Sequence, residues 1–214
     1  MLSIEVLSVF FFTSVLLSLS PGPDNIFVLM QSITQGSKAG SVITLGLCTG
    51  LLVHSTAVIL GVAVIFQTSE LAFTALKLLG AGYLLYLAWG AFRAKPDPAL
   101  SSHSEDGDTS SKQIPLKKLY LRGIIMNITN PKVSIFFLAF LPQFVNPEAG
   151  NVSIQLALLS LVFIIAALLI FNLIALLSGR LGSALANSER AQTWLNRIAG
   201  TVFVGLAAKL AITE

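Results

Sequence analysis

The sequence predicts an all-α integral membrane protein of six transmembrane helices, and three observations carry that prediction. Apolar residues fill 55% of the 214 positions and charged residues only 11%, with a mean hydropathy of +0.84, far from the composition of a soluble domain. Six apolar stretches recur near residues 4–33, 40–65, 71–92, 123–145, 153–178 and 198–212. The first is long and the last short beside the about 20 residues that one helical span requires. Outside these stretches, Lys and Arg are confined to alternate connections. A closed β-barrel is excluded, because its strands are short and alternate in polarity whereas these runs are continuously apolar.

The first stretch reads as a span rather than a cleaved leader, since no Lys or Arg precedes it and Glu5 stands where positive charge is expected. Pro21, Gly22 and Pro23 interrupt it. Proline has no N–H and clashes with the carbonyl one turn back, so two of them around a glycine unwind the helix. Asp24 and Asn25 follow at once, deep in the span. The second stretch places Gly46, Gly50 and His54 on one face at four-residue spacing, a surface suited to close helix packing with His54 as a buried hydrogen-bonding group. The single cysteine, Cys48, lies in the same stretch, so no internal disulfide forms and a small packing role is expected.

In the third stretch Tyr83, Tyr86 and Trp89 form one stripe that ends near Arg93, with Trp89 in an interfacial belt and the two tyrosines deep enough to line a cavity. The fourth stretch is broken by Asn127-Ile128-Thr129-Asn130-Pro131-Lys132. Asn172 in the fifth is able to bond across helices or to touch a ligand. Lys77 and Lys209 lie within reach of the outer interface, where long side chains anchor a span.

Loop charge sets the orientation. Lys38 lies between spans one and two; Arg93, Lys95, Lys112, Lys117, Lys118 and Arg122 between three and four; and Arg180, Arg190 and Arg197 between five and six. The loops at Gln67–Glu70 and Asn146–Val152 carry none, so both termini are expected on the outer, periplasmic side of a bacterial inner membrane. The net charge of +3 and pI near 9.2 therefore report topology and not a nucleic-acid partner, since the cations flank the membrane instead of forming one patch. Residues 94–118 are rich in Ser, Asp and Pro and read as a polar cytoplasmic linker between two three-span halves, 1–93 and 119–214. His103 beside Glu105, Asp106 and Asp108 belongs to that solvated tether and receives no metal-binding role.

Three spans per half means that the second half enters the membrane in the opposite sense, which permits an inverted repeat. Both halves begin with a span broken at a proline, and matching breaks mark a binding site near the bilayer midplane. Backbone groups freed at a break cannot face lipid, where each costs several kcal/mol, so they face protein or a cavity. Asp24 follows Pro23 in the first turn of a half-helix, where the backbone dipole stabilises a carboxylate. Lys132 holds the same place after Pro131, against the dipole, and needs an anion: Asp24 across the axis, or the carboxylate of a zwitterionic ligand.

These features together resemble the lysine exporter and homoserine/threonine resistance family, LysE/RhtB. The resemblance covers nearly the whole chain. It rests on Ser20-Pro21-Gly22-Pro23, on Lys38-Ala39-Gly40, on Leu79-Gly80-Ala81-Gly82-Tyr83-Leu84 through Trp89, on Asn130-Pro131-Lys132, and on Leu141-Pro142-Gln143-Phe144. It implies export of amino acids from the cytoplasm, driven by proton entry, in a small carrier able to work as a homodimer. The substrate is then expected between the broken spans, with Asp24 on its ammonium, Lys132 or a half-helix N-terminus on its carboxylate, and Asn25, Asn127 and Asn130 completing the hydrogen bonds.

No further charge is available for a cationic side chain, which favours neutral substrates such as threonine, homoserine or leucine. No cofactor is expected, and the absence of a phosphate-binding glycine loop removes ATP as the driving force. Asp24 is the first candidate for proton coupling and His54 the second. Two other classes were weighed. A small cation or metal carrier would have one His, one Asp and one Cys within the membrane, a poor ligand set. An intramembrane enzyme lacks paired aspartates, a His-Glu-x-x-His site and a serine elbow.

Overall fold

A computed structural model of the chain describes residues 2–20, 22–68, 70–94, 114–186 and 188–212. Pro21 and residues 95–113 of the linker, His103 among them, lie outside the described residues. Every regular element within them is helical: α1 (Ile4–Leu19), α2 (Pro23–Gln35), α3 (Ser37–Thr68), α4 (Glu70–Arg93), α5 (Leu116–Ile128), α6 (Pro131–Ile135), α7 (Val152–Ala186) and α8 (Glu189–Ile212). From α6 the chain continues directly into a π-helical turn, Phe136–Phe140, and a 3-10 turn, Leu141–Phe144.

Local chemistry accounts for the element ends. Ser3 caps α1 by accepting from the Val6 N–H at 3.3 Å. Gly36, with φ of +85°, makes the left-handed turn between α2 and α3 that side-chain-bearing residues resist. Pro23 and Pro131 stand at the first helical positions of α2 and α6, where the missing N–H costs nothing.

By length and composition, α3 over Ser37–Gly61 and α7 over Val152–Ser178 can each cross a bilayer unaided. Two bent pairs qualify as one span each: α1 with α2, inclined at 62°, and α5 with Pro131–Phe144, inclined at 50°. The other two apolar stretches fall in α4 and α8, each of 24 residues, which are not among the elements that qualify by length and composition within the described residues. Large apolar side chains point outward on most of these elements, including Leu60, Leu79, Ile154 and Leu176, all at least two-thirds exposed. So much outward apolar surface is suited to lipid rather than water.

Helix α3 lies along α5, α1 and α2 pack on α7, α3 also touches α7, and α4 pairs with α8. Glycines set the closest of these approaches. A β-carbon on Gly46 would overlap the Tyr120 carbonyl of α5, and one on Gly123 would sit 2.7 Å from the Ile43 carbonyl of α3. The two backbones therefore meet directly, through the face that Gly46 and Gly50 marked in the sequence and through Gly123, which it did not mark.

Beyond the two breaks, in the half of the molecule containing α1 and the turns after α6, phenylalanines dominate the interior. Phe10, Phe136, Phe137, Phe140, Phe144 and Phe163 are all buried and form one connected set of rings. Centroid separations include 4.9 Å for Phe10 and Phe144, 4.9 Å for Phe136 and Phe163, and 5.2 Å for Phe137 and Phe163. The π-helical turn supplies three of these rings, and such widened turns recur at functional sites in helices.

Candidate functional site

The breaks after α1 and α5 lie side by side, and each is tied to the other by side chains from the turn that follows its proline. At the first break, Asn25 reaches back from α2 and donates to the Ser18 carbonyl at 2.7 Å, which holds the bend. At the second, Asn130 caps α6, its Oδ1 accepting from the Lys132 N–H at 3.0 Å. The same side chain donates from Nδ2 to Asp24 Oδ2 at 3.0 Å, joining residues 106 positions apart.

Lys132 completes the exchange in the other direction. Its ammonium donates to the Ser20 carbonyl at 3.1 Å and, more weakly, to the Leu17 carbonyl at 3.5 Å. Among the described residues no direct hydrogen bond or ion pair joins it to Asp24. The ammonium is thus met by the C-terminal end of α1, where the helix dipole is negative. Gly22 keeps that approach open: a β-carbon there would lie 3.3 Å from the Lys132 Nζ.

Four buried oxygens nearby have no hydrogen-bond partner in the protein: Ser18 Oγ, Asp24 Oδ1, Asn25 Oδ1 and Asn127 Oδ1. All four residues line a single cavity together with Lys132. Leaving a buried polar atom unpaired costs about 1–3 kcal/mol, and around this one space three of the four can only accept while the Ser18 hydroxyl can donate or accept. An ammonium group brings three N–H donors and no acceptor, and Lys132 stands ready for an accompanying carboxylate.

The rest of the lining is apolar: Leu17, Leu51, Val133, Phe163, Ala167 and Phe171. The open space amounts to about 20 Å³, enough for one water but not an amino acid. An amino acid enters only if this space widens.

His54 reaches this region from α3. Its Nε2 lies 3.1 Å from the Asn127 carbonyl near the end of α5, and its ring stacks obliquely on Phe137 at 5.8 Å. It does not itself line the cavity. Of the residues singled out in the sequence, Asp24, Asn25, Asn127 and Lys132 meet in the cavity, and Asn130 braces Asp24 from behind. Asn172 donates to the Leu168 carbonyl of its own helix at 2.9 Å. Tyr86 is 68% exposed and Tyr83 partly so, with rings 5.9 Å apart, and neither lines the cavity. Arg93 covers the Trp89 ring at 4.0 Å, an arrangement that suits a membrane interface.

Ser18 and the α7 wall are additions that the sequence did not single out. Ser18 stands six residues before Asp24 in an ordinary helical run, and Phe163, Ala167 and Phe171 repeat every fourth residue within an unbroken apolar stretch.

Comparison with known proteins follows the same lines. A family model described as LysE type translocator matches residues 15–214. The chain is 33% identical over 199 residues to the homoserine/homoserine lactone efflux protein of Salmonella typhi, covering 93% of this chain and 92% of that one. It is 32% identical over 196 residues to the uncharacterized membrane protein YrhP of Bacillus subtilis, covering 90% and 92%. It is 26% identical over 201 residues to the leucine efflux protein of Salmonella choleraesuis, covering 94% and 92%. No solved structure matches the chain.

Proposed function

The chain belongs to the LysE type translocators, transporters rather than enzymes, and from that premise we propose that it exports neutral amino acids across a bacterial inner membrane in exchange for protons. The observation that carries this reading is the set of unpaired buried oxygens on Ser18, Asp24, Asn25 and Asn127, gathered with Lys132 in one cavity between two broken helices. Acceptors on one side and a cation on the other suit the α-ammonium and α-carboxylate that amino acids share. The efflux proteins that resemble the chain carry homoserine, its lactone and leucine in their names, all without a charged side chain.

Six spans in two halves, 1–93 and 119–214, joined by the linker at 94–118, form an inverted repeat in this reading. The helix pairings support it, because exchanging the halves converts the contact of α3 with α5 into that of α7 with α1. The same exchange returns the α4–α8 and α3–α7 pairs to themselves. On the loop charges, both termini face the periplasm.

The decisive experiment is counterflow of labelled amino acids into proteoliposomes loaded with the unlabelled compound, with and without an imposed pH gradient. Gradient-responsive uptake of neutral amino acids, reduced at least about tenfold in Lys132→Gln through loss of a charge-assisted contact, is the expected result. Silence across the whole panel from folded protein would end the proposal.

Proton exchange runs through Asp24, which cannot hold a proton and a substrate ammonium at once. His54, bonded to the Asn127 carbonyl, positions that residue. His54→Gln is expected to keep transport within about threefold, since an amide can replace one hydrogen bond, and to keep its response to the gradient. Counterflow that persists while the gradient response disappears would transfer the coupling role to His54.

A further inference from the structure

Resting on that reading of the cavity, its apolar lining identifies which side chains the carrier accepts. We infer that Phe163, Ala167 and Phe171 on α7 form the subsite for the substrate's side chain, that it prefers aliphatic groups to hydroxylated or charged ones, and that Ala167 sets its depth.

Four-residue spacing places the three on one stripe of α7. All are buried, at 4%, 1% and 6% exposure, and all line the cavity that holds the unpaired oxygens. Leu51 from α3 and Val133 from α6 flank them. None of these five side chains carries a donor or acceptor, and the α7 backbone there lies within a continuous helix whose groups bond internally. The polar side chains of α7 are directed elsewhere: Asn172 bonds the Leu168 carbonyl, and Ser160 sits about one turn beyond Phe163 and does not line the cavity. A hydroxyl or ammonium seated against these five side chains would give up water and gain no hydrogen bond from them, while a branched aliphatic chain would lose nothing.

Depth follows from the fixed neighbours of Ala167. Phe163 is wedged against Phe136 at 4.9 Å and Phe137 at 5.2 Å, so it cannot withdraw to admit a larger group. Ala167 is the one small residue on the stripe, and its methyl group is the floor of the subsite.

The test is counterflow by wild type, Ala167→Ser and Phe171→Ala in proteoliposomes, using labelled leucine, threonine, homoserine, phenylalanine and lysine, with thermal melting of each purified protein as the check on folding. Wild type is expected to favour leucine over homoserine and threonine by about tenfold to a hundredfold, the range an apolar pocket achieves, and to leave lysine untransported. Ala167→Ser narrows that ratio by at least about threefold, as the new hydroxyl supplies one hydrogen bond. Phe171→Ala brings phenylalanine into the transported set.

A wild type that moves amino acids but handles homoserine or threonine as well as leucine overturns the inference and leaves the export reading standing. So does a pair of folded variants whose relative rates match wild type. A folded wild type that moves none of the five overturns the export reading itself. Should Phe171→Ala melt below the assay temperature, Phe171→Leu answers the same question with a smaller cavity, and the wild-type ratios decide the preference in any case.

Discussion

Replacing Asp24 by Asn is expected to depress amino-acid counterflow by at least about a hundredfold in protein that still folds. Asparagine has the same shape and leaves an oxygen able to accept from Asn130, so the tie between the two breaks is retained. What disappears is the charge that would meet the substrate's ammonium. Truncating one partner of a buried charged pair costs about 2–5 kcal/mol, and a hundredfold change corresponds to about 2.7 kcal/mol, within that range. Counterflow and a ligand-induced rise in melting temperature should be lost together. Counterflow at the wild-type rate would mean that Asp24 serves only to complement the dipole of α2, whose first turn it occupies.

The largest expected effect on stability is at Gly46. Even Gly46→Ala places a carbon against the Tyr120 carbonyl, which is backbone and cannot swing aside, so α3 and α5 must separate along the seam they share with Gly123. Overfilling a close-packed contact costs about 1–3 kcal/mol when side chains can adjust, and a helix-to-helix seam has less freedom than that. Gly82→Ala and Gly205→Ala serve as controls, because nothing lies within 4 Å of a β-carbon at either position. They are expected to leave the protein unchanged or to stabilise it by about 0.5–1 kcal/mol through helix propensity. Melting temperature and the monodisperse fraction after detergent extraction should fall for Gly46→Ala and hold for the controls. Equal melting of all three would show that α3 and α5 do not meet through this face.

What could be read in advance was whatever local chemistry enforces. Proline cannot donate to a helix ladder wherever it stands, so the break before Pro23 and the break before Pro131 were legible without knowing any partner. Glycines four residues apart in an apolar run announced a close approach, though not the helix that would make it. The carbonyl partners of Lys132 were illegible for a similar reason. Charge arithmetic offered Asp24 or a ligand's carboxylate, whereas the carbonyls at the end of α1 are neutral in any residue count and become a site for a cation only when the helix stops there.

The apolar wall was hidden altogether. In water, a buried stripe is distinguished from an exposed one by polarity, but a span in lipid is apolar on every side, so Ala167 facing a cavity and Leu169 facing outward look alike. The widened turn at Phe136–Phe140 was missed although Pro142 stands just after it, without an N–H for the Leu138 carbonyl one turn back. Even the alternation of Lys and Arg between loops, so clear in the sequence, says which side a loop faces and nothing about where the spans touch.

Asn130 ends the list of ties with an arithmetic of its own. A carboxamide has one oxygen and one nitrogen on a single rigid plane, and here the oxygen holds the first turn of α6 while the nitrogen holds Asp24. The plane cannot turn to serve one without releasing the other. Whatever takes Asp24 Oδ2 for itself therefore unties the two breaks at this point, while the oxygen remains able to hold the first turn of α6.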